Sequence, residues 1–402
     1  MPEPEIRPPG EEAVPSSILR SVIAVPVRNE AERIGSCLLA FAGQEGLGAG
    51  ELGVILLLNN CTDDTDRVVA ALAPDLPFRL RVLQRTFAGA TAGWARREAM
   101  QAAADWLEQE GATDGIILTT DADCRASADW VARTLAVLAE GVDAVAGRIV
   151  LDPDEAARLP ASLHARGRLE GAYEALLVAL EACIDPLAHD PWPRHWTTSG
   201  ATLAVRLATY RQVGGMPPLA VGEDRAFVSS LLSSDVRVRH DPDLVMITSG
   251  RLDGRAPGGA ADTMRLRCEV PESPCDPRLE PLPLALFRFL WRARLRRLHA
   301  VRRLGRTHLW APWLGIRTAE ARSVAALASA GAALAAIEQA SPRLAFRPLR
   351  PAELPSQIRY AGLALAVMRA AARCSRSMRR LSGPRNAAGE VGPPVVERPG
   401  HA

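Results

Sequence analysis

Asp121 and Asp123 stand one residue apart at the end of an apolar run, GIILTTDAD (115–123). Alternate residues of a strand share a face, so where the chain leaves the strand both carboxylates can converge on one hard cation. Two carboxylates with phosphate oxygens are a common way of holding Mg²⁺ or Mn²⁺ at a nucleotide site. Taken alone, such a pair is more often a polar loop. A second acidic pair, Glu223-Asp224, opens a helical stretch behind the Gly/Pro loop VGGMPPLAV (213–221). It either caps free N–H groups and favours the helix dipole or supplies a carboxylate for proton transfer. Polar residues end two further apolar runs: Arg28-Asn29-Glu30 after SVIAVPV (21–27), and Asn59-Asn60 after GVILLL (53–58).

The elements that must position these groups read as alternating strands and helices. Strands are expected at 21–27, 53–60, 80–85, 115–123, 142–151 and 198–206, with more strand character over 236–251. Helical spacing fills 30–42, 64–72, 92–110, 127–140 and the region from 155 toward the loop HDPWPRHW (189–196). This alternation indicates a parallel α/β sheet, and such sheets bind ligands at the carboxyl ends of their strands. The acidic and polar clusters lie at those ends.

A chain of 402 residues with 48% hydrophobic and 23% charged residues has the composition of an ordinary globular protein. The net charge of +2 conceals two opposite halves: residues 1–264 hold 24 Arg against 37 acids, and residues 265–380 hold 22 Arg against 7 acids. Lysine is absent throughout, which points to genome composition rather than to arginine chosen site by site. Seven scattered cysteines without a C-x-x-C pair argue against a disulfide framework or a zinc ribbon. The longest apolar run, 324–337, is too short to span a bilayer. The acidic, proline-rich N-terminus does not read as a signal peptide, so a cytoplasmic protein is expected, with room for contact at the inner face of the membrane.

Five segments in order, VPVRNEAERIGSCLLA (25–40), NNCTDDT (59–65), AGWARREAM (92–100), TTDADC (119–124) and GEDRAF (222–227), resemble the motifs of glycosyltransferase family 2. The resemblance covers residues 20–255. It implies a GT-A fold, which is α/β and Rossmann-like with a mostly parallel sheet flanked by helices, here followed by a mainly helical C-terminal region. It also implies inverting transfer of a sugar from a nucleoside-diphosphate sugar to an acceptor hydroxyl, with Mg²⁺ or Mn²⁺ stabilising the leaving diphosphate. On this resemblance Asp123, with Asp121, holds the metal, and Asp224 takes the acceptor proton with Glu223 beside it. Pro26, Arg28, Glu30, Asn60 and Asp63 then line the donor, with Arg96 near its diphosphate. Two departures bear on the nucleotide: Asn60 stands where the family usually has Asp, and the usual A-R-N reads Ala95-Arg96-Arg97.

Gly200, having no Cβ, is expected to let backbone approach donor or acceptor closely. Trp192 and Trp196, with His189 and His195, fall where the family builds its acceptor pocket; the plainer reading is that they pack the domain. Arg251 and Arg255 lie in a Gly-rich stretch (250–259) that either closes over a diphosphate or serves as a linker. His240 precedes the last strand, and is either a further metal ligand or a capping residue. A catalytically silent nucleotide-sugar-binding relative, acting as a scaffold, is the alternative function; the intact D-x-D and E-D pairs count against it. A nucleotidyltransferase would need a Gly-rich phosphate loop that the first strand lacks.

The expected domains are a disordered leader (1–18), the GT-A domain (19–264), a Pro-rich linker (265–283), a basic helical region (284–381) and a disordered tail (382–402). Arg292, Arg294, Arg296, Arg297, Arg302, Arg303 and Arg306 make the basic region amphipathic. It either docks on the acidic half or meets an anionic membrane; nucleic acid is not an expected partner.

Overall fold

A computed structural model describes residues 19–89, 91–255 and 257–381. The expected leader and tail lie outside the described residues. The chain begins β1 (Ser21–Val27), α1 (Ile34–Ala42), β2 (Leu52–Asn59), α2 (Thr65–Leu72), β3 (Arg79–Arg85), α3 (Ala92–Gln109) and β4 (Ile116–Thr119). It continues through β5 (Arg125–Ala126), α4 (Trp130–Ala139), β6 (Ala144–Leu151), α5 (Pro153–Ala156), α6 (Ala161–Ile184), β7 (Leu203–Arg206), α7 (Leu207–Gln212), α8 (Glu223–Ser233) and β8 (Val238–Thr248). The remaining elements are helical: α9 (Ala260–Glu269), α10 (Leu282–Ala300), α11 (Ala311–Leu314), α12 (Thr318–Ala325), α13 (Ala330–Ala340) and α14 (Leu354–Leu381).

The eight strands form one sheet in the order β3-β2-β1-β4-β7-β6-β8-β5. The first four are parallel, and β6 and β8 are parallel to each other. β7 runs antiparallel between β4 and β6, and β5 is antiparallel to β8. The carboxyl ends of β1, β2, β4, β6 and β8 therefore share one edge. Both faces of the sheet are covered, which is why its strands read as unbroken apolar runs. Within β1, Ile23, Val25 and Val27 face one core with α1 and α4, while Val22 and Ala24 face the other with α3 and α8. The strand expected at 115–123 stops at Thr119, and the acids follow in a turn. The region 236–251 forms one strand, and the two-residue β5 carries too little pattern to be read in advance.

The helical C-terminal region has two cores of its own, and α6 belongs to the first of them. Tyr173, Leu177 and Leu180 of α6 pack with Leu279, Phe289, Leu354, Ala361 and Leu365. The stretch 271–281 is partly built into this core: Cys275, Leu279 and Glu280 are buried. The second core gathers α10 to α13 around Trp310. The basic stretch does form a helix, α10, yet several of its arginines turn inward onto acids. Arg292 pairs with Glu181 at 3.0 Å and with Glu338, Arg296 with Asp185 at 2.8 Å, and Arg288 with Glu280 at 2.7 Å. Charge pairing with acidic α6 thus uses the inner arginines of α10. Among the described residues no helix is long and apolar enough to cross a membrane.

Candidate active site

The turn after β4 is closed by Cys124 N–H on the Asp121 carbonyl at 3.1 Å. It gathers carboxylate oxygens of Asp121 and Asp123 and the Cys124 sulfur within 4.8 Å of one another. Burial, and then the charge of Asp121, pushes the Asp123 carboxyl up to about 6. Burial also holds the Cys124 thiol far above its ordinary value.

Arg96 of α3 is the hub of the site. Its guanidinium is buried and donates to Asp121 Oδ1 at 2.5 Å, Glu223 Oε1 at 3.2 Å, Thr119 Oγ1 at 2.9 Å and the Gly200 carbonyl at 2.9 Å. Burial opposes its charge, but Asp121 and Glu223 outweigh that and push its pKa up. The group expected near a diphosphate is therefore committed inside the protein, where its planar fork joins both acidic pairs. Gly200 completes the link, since its N–H donates to Asp224 Oδ2 at 3.0 Å while its carbonyl takes Arg96. Asp224 Oδ1 accepts from the Arg225 N–H at 2.6 Å. Each oxygen keeps a lone pair for a substrate proton. Glu223 is buried and tied to Arg96, so it holds its neighbours in place, while Asp224 is half-buried.

The segment after β8 brings a second arginine. Glu155 anchors it, accepting from Ser249 Oγ and Gly250 N–H at 2.6 Å each and from Arg33 at 3.1 Å. From this anchor Arg251 reaches Glu30, at 2.9 Å to Oε2, and lies 3.0 Å from Asp123 Oδ2. Arg255 donates to the Asn29 carbonyl at 3.2 Å. The Gly-rich segment is thus folded over the acidic turn. Arg96 takes Oδ1 of Asp121 and Arg251 takes Oδ2 of Asp123, so each aspartate keeps its other oxygen clear of arginine. Two hard oxygen donors within reach of one ion suit Mg²⁺ or Mn²⁺. Cys124, a protonated soft sulfur, does not add to that set.

Two clefts open on this edge. One of about 260 Å³ is lined by Arg33, Ser36, Asp123, Asp152, Glu155 and Thr248. The other, about 420 Å³ at the ends of β2 and β3, includes Cys61, Asp63, Arg67, Gln84 and Arg85. Asp63 is itself turned into scaffold, accepting from Ala31 N–H at 3.1 Å and from the Thr65 N–H and hydroxyl. Asn60, with φ near 51°, pairs its whole amide with the Phe87 backbone. That pairing pins the loop before α3. Pro26 is half-buried in β1, and Arg28 is exposed.

His240 is not brought to the acidic turn. It sits at the start of β8, whereas the turn lies beside the end of that strand. There Asp190 accepts from its N–H at 2.9 Å and pairs with its ring at 3.0 Å, and Asp190 also binds Arg194 and Arg239. His195, stacked edge-on against His240, accepts from Thr197 N–H at Nδ1 and donates from Nε2 to the Asp241 carbonyl. This pattern needs the neutral ring. Burial, helped by the charge of His240, holds its pKa down at about 4, against 6.5 for the free group. Below pH 6.5 the unfolded chain takes up a proton that the folded ring refuses until about pH 4. Stability therefore falls by about 3 kcal/mol as pH drops through that window. Urea midpoints between pH 7.5 and 4.5 should show this decline, and His195→Asn should flatten it; an unchanged slope in that variant would contradict the assignment.

Trp192 is exposed in this far cluster, while Trp196 donates to Glu181 and stacks near Arg278. Arg278 bonds Asp276, which pairs with Arg225 beside Asp224 at 3.4 Å. Glu155, Thr119 and Asp276 were not singled out by sequence. Their partners across the site, Arg33, Arg96 and Arg225, lie 122, 23 and 51 residues away, and no local pattern marks them.

Residues 22–185 match the family model described as Glycosyl transferase family 2. No curated protein sequence matches the chain. Among solved structures, S. aureus TarS 1–349 with UDP is 17% identical, with 86% of this chain and 87% of that chain covered and a TM-score of 0.43. The mannosyltransferase PcManGT from Pyrobaculum calidifontis, in complex with GDP-Man and Mn²⁺, is 20% identical over 80% and 87%, with a TM-score of 0.42. Against S. aureus TarS the chain spans 35% of that chain's length, with 58% of its own covered, at 17% identity and a TM-score of 0.37. The ligands are those of the neighbours. The matched stretch runs from β1 to the end of α6.

Proposed function

We propose that the chain, whose residues 22–185 match the model of glycosyl transferase family 2, is a glycosyltransferase that moves a sugar from a nucleoside-diphosphate sugar to an acceptor hydroxyl, with inversion and with a divalent metal. The observation that carries this reading is the Arg96–Gly200 link, which ties the Asp121/Asp123 pair to Asp224. Asp121 and Asp123 would hold Mg²⁺ or Mn²⁺, which when bound offsets the charge gathering on the departing diphosphate. The acceptor oxygen attacks the anomeric carbon from the side opposite the diphosphate. As that bond forms, the bond to the diphosphate oxygen breaks with its electron pair, and Asp224 takes the hydroxyl proton. The cleft holding Asp63 has the position for the nucleoside, with Pro26, Arg28 and Glu30 along the strand ends. Arg251 and Arg255 lie where they can meet the diphosphate once Arg251 turns from Asp123. We place the enzyme in the cytoplasm.

Thermal unfolding with a panel of UDP- and GDP-sugars tests this reading. One nucleotide class with Mn²⁺ should raise the melting temperature, since a ligand bound only by the native state stabilises it. EDTA should abolish the rise. No shift with any donor, or a shift indifferent to EDTA, would count against a metal-dependent transferase.

A further inference from the structure

We propose that the outer face of α14 binds anionic phospholipid membrane. This goes beyond the transferase reading and does not depend on it. The buried side of α14 is Leu354, Ala361 and Leu365, packed on α6. A different stripe, Tyr360, Leu363 and Val367, is 59%, 66% and 61% exposed. Residues three and four apart adjoin on a helix, so these three make one continuous apolar strip on a helix already paid for by its other side. Arg359, Arg369 and Arg373 are also exposed on α14 and pair with no acid among the described residues.

The charge selects the occupant. From Leu354 to Gly389 the sequence holds seven arginines and no acid. On α10 the inner arginines are consumed by Glu181, Asp185, Glu280 and Glu338, whereas the exposed arginines of α14 keep their charge beside its exposed apolar strip. Two copies meeting symmetrically through this face would oppose arginine to arginine. A bilayer rich in acidic headgroups supplies the opposite charge and an apolar layer for Leu363 and Val367, which is how interfacial helices bind.

The full-length protein should float with vesicles of phosphatidylglycerol and phosphatidylcholine at least tenfold more than with phosphatidylcholine alone. Leu363→Asp with Val367→Asp should remove that binding and leave the melting temperature unchanged. Changing Arg359, Arg369 and Arg373 together to Gln should weaken it roughly a hundredfold, at about fivefold per charge. Leu290→Asp, at a residue 58% exposed on α10, should change nothing. Equal binding to neutral vesicles, or flotation that survives the double aspartate variant, overturns the proposal. So does a wild type that ignores vesicles, whether it proves to be a dimer dispersed by the double variant or leaves the face for an acidic protein.

Discussion

Asp224→Asn should leave nucleotide-sugar affinity within about twofold while slowing transfer by about 10²–10⁴-fold, the usual contribution of a positioned general base. The carboxylate takes one backbone N–H on each oxygen, from Gly200 and from Arg225. Asparagine keeps one acceptor and turns an NH₂ toward the other N–H, so a stability loss of about 1 kcal/mol is expected beside the kinetic loss. The donor elements do not touch this residue except through Gly200, which is why binding should survive. Release of nucleoside diphosphate, followed alongside calorimetric donor binding, separates the two effects. A transfer rate within tenfold of wild type would remove Asp224 from the mechanism.

Gly200→Ala should damage binding, transfer and stability together. An added Cβ would fall 2.6 Å from Cζ and Nε of Arg96, a contact that real Cβ atoms do not make. A flexible side chain would normally step aside, but this guanidinium is boxed in by Asp121, Glu223, Thr119 and the Gly200 carbonyl itself. Displacing it strands buried charge, at a cost of about 3–5 kcal/mol. The metal-side aspartate and the base would then lose their common support, with an expected fall in kcat/KM of at least about a hundredfold. Arg96→Lys should reproduce much of this, since a single ammonium cannot serve four acceptors spread around a planar fork. A Gly200→Ala protein with native melting temperature and activity would show that Arg96 yields cheaply. The contrast with Asp224→Asn is the informative part: one variant loses chemistry alone, the other loses the assembly.

Much of the fold was legible because its rules are local. The runs 21–27 and 53–58 are apolar on both faces and read as buried strands, while Asp121, Asp123 and Asp224 stood out only through the resemblance to glycosyltransferase family 2, since type and spacing alone favoured a polar loop and a helix cap. What side chains do with their far ends was not legible. The resemblance set Arg96 near the diphosphate, and nothing in the sequence shows its partners, which sit 23 to 127 residues away. His240 stood open between metal ligand and capping residue because it borders the last strand; only the pairing of β6 with β8 shows at which end it lies. α6 read as part of the α/β unit, yet its apolar face is matched by helices that arrive a hundred residues later.

The C-terminal helices also reach α8. Asp235, just beyond that helix, caps the first turn of α13 through the N–H groups of Ala330 and Gly331, and Ser329 bonds the Ser233 carbonyl. Gly331 lies so close that a Cβ there would strike the Leu232 carbonyl. The helix that offers Asp224 at its first turn is therefore gripped at its last. Cutting the chain after the sheet would release that grip and loosen the helix that carries Asp224, so on the proposed mechanism the helical third would splint the base as well as form its own core.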